Sequence, residues 1–148
     1  KILIIGGSIA GMACALSLQK RGHRVSILER RSSAASGGFG MILDTTACQN
    51  LQELNVSMAG HTHSIGQYHV HDLNHNFHSR KPLQGCQGIE RQRLVSQMRN
   101  QLQPGTIHFG SEFDHFIVDK NGSTRAAALQ NAARRLEQVG VLRARLLN

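Results

Sequence analysis

Apolar and polar positions in the first thirty residues follow the order strand, helix, strand. Residues 2–5 form a continuous apolar run, which predicts a strand buried on both faces of a parallel sheet. Residues 9–21 repeat apolar side chains at helical spacing, and Gly22 stands where a helix-ending glycine is expected. Residues 24–29 predict a second strand. Together they predict a right-handed βαβ unit. The apolar helix positions are Met12, Ala15 and Leu16.

The next part of the chain predicts a mixture of helix and antiparallel strand. Residues 32–40 are too rich in Ser, Ala and Gly for regular structure, and a helix is predicted to begin at Asp44 or Thr45. Residues 63–82 contain short alternating runs around a turn at residues 72–76, which indicates a β-hairpin.

Three further segments follow before the carboxy-terminal region. Residues 89–102 predict a helix with apolar positions in register, and Pro104 ends it. Residues 106–109 and 113–118 predict two more strands. The chain to this point is therefore α/β with an antiparallel part.

The carboxy-terminal region gives conflicting local signals. Asn121–Gly122 is a strong hairpin turn signal, yet Ser123 and Thr124 can cap a helix that reaches about Val139. We predict the helix. The turn is then an ordinary loop, or sequence found in longer relatives is missing here.

Composition excludes several classes of protein. The chain has 148 residues, a formal charge of +8 and three cysteines, an odd number without metal or redox spacing. No apolar run approaches the ~20 residues that span a bilayer, so we expect a cytoplasmic protein without a membrane span. The basic residues are scattered and aromatic residues are few, so no nucleic-acid partner is expected.

A glycine-rich motif connects the first predicted strand to the first helix. Residues 6–11 read G-x-S-x-x-G, one position away from the dinucleotide fingerprint. Gly6 permits the tight turn and Gly11 allows the helix to pack closely on the sheet. Ser8 stands where the backbone usually approaches the phosphates, and the helix start, with Ile9 and Ala10, offers free N–H groups to a pyrophosphate.

An acidic residue completes this pattern. Glu29 lies at the end of the second predicted strand, where a carboxylate can accept hydrogen bonds from both ribose hydroxyls of an adenosine. Its charge disfavours a 2′-phosphate, which favours FAD or NAD over NADP at this site. The sequence therefore predicts a dinucleotide-binding unit.

Histidines offer an alternative chemistry. The pairs His61/His63 and His69/His71 each have the i, i+2 spacing that places side chains on one face of a strand, where they could hold a metal. No Cys, Asp or Glu joins them at ligand spacing, so a polar strand face is the preferred interpretation and no metal is predicted.

The motif and its surroundings resemble the FAD-dependent monooxygenases of the aromatic-hydroxylase type. The resemblance rests on residues 4–11, on Gly22–His23 and on the Leu28-Glu29-Arg30 segment, and it extends over about residues 1–122. Residues 38–43 are similar to the family's glycine-containing loop over the cofactor, which implicates Gly40. Residues 89–94 are similar to a helix start in which an arginine contacts FAD, and Arg91 matches that arginine.

The resemblance implies a Rossmann-like FAD-binding βαβ unit with part of an antiparallel substrate-side sheet and a carboxy-terminal helix. We expect an FAD-binding domain over residues 1–122, with a substrate-side hairpin at 60–85, and a helical segment over residues 123–148. It implies FAD as cofactor, NAD(P)H as reductant and a small organic substrate. The predicted cofactor-binding residues are Gly6, Ser8, Ile9, Ala10, Gly11, Glu29, Arg30, Gly40 and Arg91.

Two family motifs are absent from this sequence. Neither the Asp-Gly nor the Gly-Asp dipeptide that the family uses later in its chain for cofactor handling occurs here. We therefore expect a shortened form of such an enzyme and assign no catalytic residue. A non-catalytic dinucleotide-binding module and a fragment of an NAD-dependent oxidoreductase remain alternatives.

Overall fold

A computed structural model describes residues 1–32, 38–118, 120, 124–130 and 140–142. The chain forms two compact units, one of Lys1–Ser36 with Met98–Asn148 and the other of Gly37–Gln97. The elements of the described residues, in chain order, are β1 (Ile2–Ile5), α1 (Ile9–Lys20), β2 (Val25–Glu29), β3 (Gly40–Leu43), α2 (Thr45–Glu53), β4 (Thr62–His71), β5 (Phe77–Glu90), α3 (Arg91–Gln101), β6 (Ile107–Phe109), β7 (Ser111–Val118), β8 (Thr124–Gln130) and β9 (Gly140–Leu142).

A parallel sheet with one helix packed on it forms the centre of the first unit. The strand order is β1-β2-β6, and both neighbouring pairs are parallel. Helix α1 contacts β1 and β2, and its Met12 and Ala15 are fully buried. The predicted βαβ unit is confirmed.

The environment of β1 differs from the prediction. Its apolar run predicted burial on both faces, but β1 lies at the edge of the described sheet and Ile5 is 49% exposed. The central strand β2 is flanked on both sides, and its Ile27 and Leu28 are 0% and 2% exposed. An apolar run alone does not distinguish an edge strand from a central one.

A small polar cluster fastens the end of α1 to the segment before β6. The Gln19 side-chain amide donates to the Thr106 hydroxyl at 2.7 Å and accepts from the Gln103 main-chain N–H at 3.3 Å. Thr106 is buried and its hydroxyl in turn donates to the Gln103 carbonyl oxygen at 2.7 Å. Every polar atom of this contact therefore has a partner, which buried amides and hydroxyls require.

The second unit contains an antiparallel sheet and the short helix α2. The strand order is β3-β5-β4, and both pairs are antiparallel. Asp44 caps α2, because its side chain accepts a hydrogen bond from the Ala47 N–H at 2.7 Å, as the sequence predicted. Leu51 of α2 is buried, and the helix contacts β3 and β5.

A five-residue turn joins β4 to β5. One oxygen of the Asp72 carboxylate accepts from the N–H groups of Asn74 and Asn76, both at 2.8 Å, and the other accepts from the Asn76 side chain at 3.0 Å. His75 adopts a left-handed conformation, with φ at 64°. Hydrogen bonds to Asn76 and Asn74 lower the pKa of Asp72. The predicted hairpin turn is confirmed.

The prediction of a carboxy-terminal helix is wrong for the residues of this region that the structure describes. Strand β8 occupies Thr124–Gln130 and pairs antiparallel with β7, and β9 pairs with β8 in turn. A strand thus returns after β7 as the Asn-Gly signal requires, and the turn itself, at residues 121–123, lies outside the described part. The helix propensity of alanine contributes only a few tenths of a kcal/mol per residue. Strand pairing gives hydrogen-bond partners to the main-chain N–H and C=O groups along one edge of β7. The predicted helix at residues 131–139 also lies outside the described residues.

The described residues contain no helix that is both long enough and apolar enough to cross a membrane.

Helix α3 begins two residues later than predicted, because Ile89 and Glu90 belong to β5. Its apolar side chains are buried as the periodicity predicted. They are Leu94, Val95 and Met98, with Leu102 following the helix.

Acid should loosen the hairpin turn. Because the folded-state pKa of Asp72 lies below the ordinary value of 3.8, its stabilising effect is present above that value and is lost as the pH falls through the lowered pKa. The amide NMR signals of Asn74 and Asn76 should therefore shift together between about pH 5 and pH 2. An Asp72→Asn variant serves as the control without this titration. Unshifted signals in the unmodified protein would contradict the assignment.

Candidate functional site

The glycine turn after β1 has the backbone that its sequence predicted. Gly6 has φ at +100°, a conformation that residues with a side chain rarely adopt, and its N–H donates to the Leu28 carbonyl oxygen at 2.8 Å. This bond continues the pairing of β1 with β2 up to the turn. The chain then reverses into α1 within three residues.

The start of α1 leaves main-chain donors for a ligand. The first helical bond runs from the Met12 N–H to the Ser8 carbonyl oxygen at 2.9 Å, so the N–H groups of Ile9, Ala10 and Gly11 precede the intrahelical ladder. Ser8 occupies the N-cap position, but its side chain makes no cap hydrogen bond. These groups form the kind of helix amino terminus that attracts anions.

Gly11 is required by a close approach of main chain to main chain. A Cβ atom at this position would overlap the Gly6 carbonyl oxygen and would also lie 3.5 Å from Cγ2 of Ile4. The first turn of α1 therefore packs directly on the glycine turn and on β1. This is the role that the motif predicted for its last glycine.

Glu29 contacts the glycine turn directly. Its Oε2 accepts a hydrogen bond from the Gly7 N–H at 2.8 Å, and its Oε1 accepts one from the Arg31 N–H at 2.9 Å. The sequence predicted Glu29 at the end of β2 but gave no indication of the contact with Gly7. Twenty-two positions separate the two residues along the chain.

A cleft of about 280 Å³ opens beside this contact. It brings together three of the predicted residues, Gly6, Glu29 and the exposed Arg30. It also contains residues that sequence reasoning missed, because they lie at the start of β7, some eighty residues later in the chain. The cleft is lined by Ile5, Gly6, Leu28, Glu29, Arg30, Ser111, Glu112 and Phe113.

Two further predicted residues lie together in the second unit. Gly40 pairs with Glu90 between β3 and β5, directly before Arg91. The Arg91 N–H donates to the Phe39 carbonyl oxygen at 3.3 Å. A Cβ atom at Gly38, where φ is +134°, would lie 2.9 Å from Cδ of Arg91. The glycine loop and the arginine, which the resemblance linked only through the family pattern, are thus neighbours.

The histidines of β4 do not assemble a metal site in the part of the chain that the structure describes. No group of three His, Cys, Asp or Glu side chains with metal-binding geometry occurs there. His69 and His71 are exposed, and the rings of both contact Phe77. His61 lies 3.0 Å from the Gln97 side-chain nitrogen.

The geometry of the first unit suits a nucleotide. The helix amino terminus offers N–H groups to an anionic group, the Glu29 carboxylate offers acceptors to hydroxyls, and Ile5, Leu28 and Phe113 offer apolar surface to a planar base. Because Gly11 leaves no room for a side chain, the first turn of α1 is held against the glycine turn by backbone contact.

Comparison with known proteins agrees with this geometry. The model of a family described as FAD dependent oxidoreductase matches residues 1–147. Among curated proteins, Monooxygenase 1 of Arabidopsis thaliana is 29% identical over 127 residues, which are 80% of this chain and 31% of that protein. A D-amino acid dehydrogenase of Helicobacter pylori is 40% identical over 40 residues, which are 27% of this chain and 10% of that protein.

Solved structures show the same fold. The flavin-dependent monooxygenase PieE, in complex with FAD and substrate, superposes with a TM-score of 0.71 at 16% identity. The match covers 87% of this chain and 26% of PieE. This chain therefore spans about a third or less of the length of the proteins it resembles.

Gly11→Ala should destabilise the first unit. The added methyl group overlaps the Gly6 carbonyl oxygen, so α1 must shift, and overpacking of this kind costs about 1 to 3 kcal/mol in the free energy of unfolding. Urea unfolding measures it. Gly66→Ala is the matched control, since a Cβ atom there has no neighbour within 4 Å. Equal stability of the two variants would contradict the close approach.

Proposed function

We propose that this chain, which belongs to the FAD dependent oxidoreductase family, is the FAD-binding part of a flavin monooxygenase that acts on a small organic substrate. One observation carries the proposal. Gly6 of the glycine turn and Glu29 line a single cleft in the first unit, Glu29 also accepts a hydrogen bond from the Gly7 N–H, and the turn leads directly into α1.

The cleft accommodates the adenosine half of FAD in this proposal. Glu29 accepts hydrogen bonds from the ribose hydroxyls, and Arg30 lines the same cleft. Phe113 and Leu28 provide apolar surface for the adenine ring. A second negative charge at the ribose would be repelled by the carboxylate, which is why we favour FAD over a 2′-phosphorylated dinucleotide at this position.

The first turn of α1 binds the pyrophosphate. The N–H groups of Ile9, Ala10 and Gly11 point out of the helix amino terminus, where the helix dipole favours negative charge. The Ser8 hydroxyl, which is not used as a helix cap, is a further donor. Gly40 and Arg91 are proposed as additional FAD contacts on the family resemblance, and the contact of Arg91 with the glycine loop supports their pairing.

The number of residues matched by each relative favours one reaction class over the other. The match to the D-amino acid dehydrogenase is confined to 40 residues, whereas the match to Monooxygenase 1 extends over 127. The larger match includes most of the chain, and we therefore favour oxygen insertion over amine dehydrogenation. Bound flavin would supply the redox chemistry, with NAD(P)H as reductant, and the protein supplies binding and orientation.

This chain lacks motifs that the resemblance associates with cofactor handling. The chain spans 31% of the length of Monooxygenase 1, and neither the Asp-Gly nor the Gly-Asp dipeptide occurs in it. We propose that it binds FAD without completing turnover.

A cytoplasmic location and the absence of a nucleic-acid partner are also part of the proposal. The free thiols of Cys14, Cys48 and Cys86 are consistent with a reducing compartment.

Purified protein should bind FAD, and Glu29 should contribute to the affinity. Replacing Glu29 by Ala leaves the ribose hydroxyls without acceptors and should weaken FAD binding by about 1 to 3 kcal/mol. Titration followed through the flavin absorbance bands measures this. Glu90→Ala, which removes an exposed carboxylate of the other unit, is the control. A protein that cannot be loaded with FAD but binds NAD would overturn the proposal.

NAD(P)H oxidation by the FAD-loaded chain should stay near the rate of free flavin. The missing dipeptides are the physical reason, because binding the adenosine half does not orient the flavin ring toward a reductant. Absorbance at the nicotinamide band, with and without candidate aromatic substrates, gives the rate. Substrate-stimulated oxidation well above that background would show that this chain is catalytically complete.

A further inference from the structure

One carboxylate connects the two strand ends that border the cleft. Glu29 accepts from the Gly7 N–H through Oε2 at 2.8 Å and from the Arg31 N–H through Oε1 at 2.9 Å. Gly7 belongs to the turn after β1, and Arg31 follows β2. The side chain therefore fixes the glycine turn relative to the end of the neighbouring strand.

The capacity of a carboxylate allows a second set of contacts. An ionised carboxylate has about four acceptor positions, two on each oxygen. The two main-chain hydrogen bonds use one position of each oxygen, so each oxygen keeps one for another donor. A ribose offers two adjacent hydroxyls, which matches that remaining capacity.

We propose that Glu29 is a positioning residue of the glycine turn as well as a ribose ligand. Its carboxylate holds the turn in the nucleotide-receiving conformation before the nucleotide arrives, with one acceptor position of each oxygen, and binds the ribose with the others. The positioning role stands independently, whereas the ribose role rests on the proposed function.

The contact between Glu29 and Gly7 also determines which main-chain N–H groups are available to a pyrophosphate. The Gly7 N–H is engaged by Glu29, so the N–H groups available to a pyrophosphate are those of the first turn of α1. The engagement is tight, since a Cβ atom at Gly7 would lie 3.2 Å from the Glu29 Cβ and 3.3 Å from its Oε2. A side chain at Gly7 would therefore crowd the carboxylate beside it, while the φ of Gly7 is not in the left-handed region.

Hydrogen exchange of the nucleotide-free protein tests the positioning role. In Glu29→Gln the side chain keeps its size but can accept through one oxygen only, and its NH2 group faces the second main-chain donor. The amide of Gly7 or of Arg31 should then exchange at least about tenfold faster, as expected for the loss of a hydrogen bond to a charged group. Unchanged exchange at both amides would overturn the proposal.

Two further variants keep the test decisive. Glu90→Gln removes a carboxylate that pairs only with the exposed Arg93 in the described structure, and it should leave both amides unchanged. If Glu29→Gln fails to fold, Glu29→Asp replaces it. The side chain is one methylene shorter and cannot reach both main-chain donors, so the Gly7 or the Arg31 amide should exchange faster, and unchanged exchange at both amides would refute the positioning role.

Binding of nucleotide analogues separates this inference from the proposed function. ADP should bind more tightly than 2′,3′-dideoxy-ADP by about tenfold or more, because the analogue leaves the free acceptor positions of Glu29 unused. Equal binding of the two would refute the ribose role and leave FAD binding in place. Failure of both ADP and FAD to bind would refute the proposed function, while the exchange of the Gly7 and Arg31 amides would still decide the positioning role.

Discussion

The first unit depends on the close approach of α1 to the turn that precedes it. Gly11 lies against the Gly6 carbonyl oxygen with no room for a side chain, so the helix begins directly on the strand end. The free N–H groups of the first helical turn therefore follow directly on the glycine turn. Gly7 in that turn donates to Glu29, and the carboxylate joins the ends of β1 and β2. One backbone contact thus fixes where the helix begins relative to the strand end and to the residue that contacts Glu29.

Features that arise from a few neighbouring residues could be predicted from the sequence. The cap at Asp44, the turn at Asp72 and the glycine turn are all determined by side chains or backbone conformations within five positions. The acidic residue at the end of β2 could be predicted because a βαβ unit has a nearly fixed length. In each case the physical cause lies inside the segment that shows the pattern.

Features that depend on distant partners could not be predicted. Ile5 at the end of β1 is exposed and lines the cleft, which is completed by residues of β7 that lie far along the chain. Thr124–Gln130 has helical composition but forms β8, since β7 offers main-chain hydrogen-bonding partners along its length, with one register shift between Phe113 and His115. Ser111, Glu112 and Phe113 reach the cleft only because β7 follows β6, and β6 pairs with β2.

The same distinction explains why the cofactor of this chain is easier to establish than its reaction. Binding the ADP half of a dinucleotide needs a turn and a helix start for the pyrophosphate and one carboxylate for the ribose, and these lie within the first thirty residues. A short segment of that kind is shared by proteins with different chemistries, as the 40-residue match to a dehydrogenase illustrates. Oxygen insertion needs a flavin ring, a reductant and a substrate held together by residues from many parts of a longer chain. In the proposed function Glu29 serves only the first task, and both its main-chain partners lie within the βαβ unit and its end.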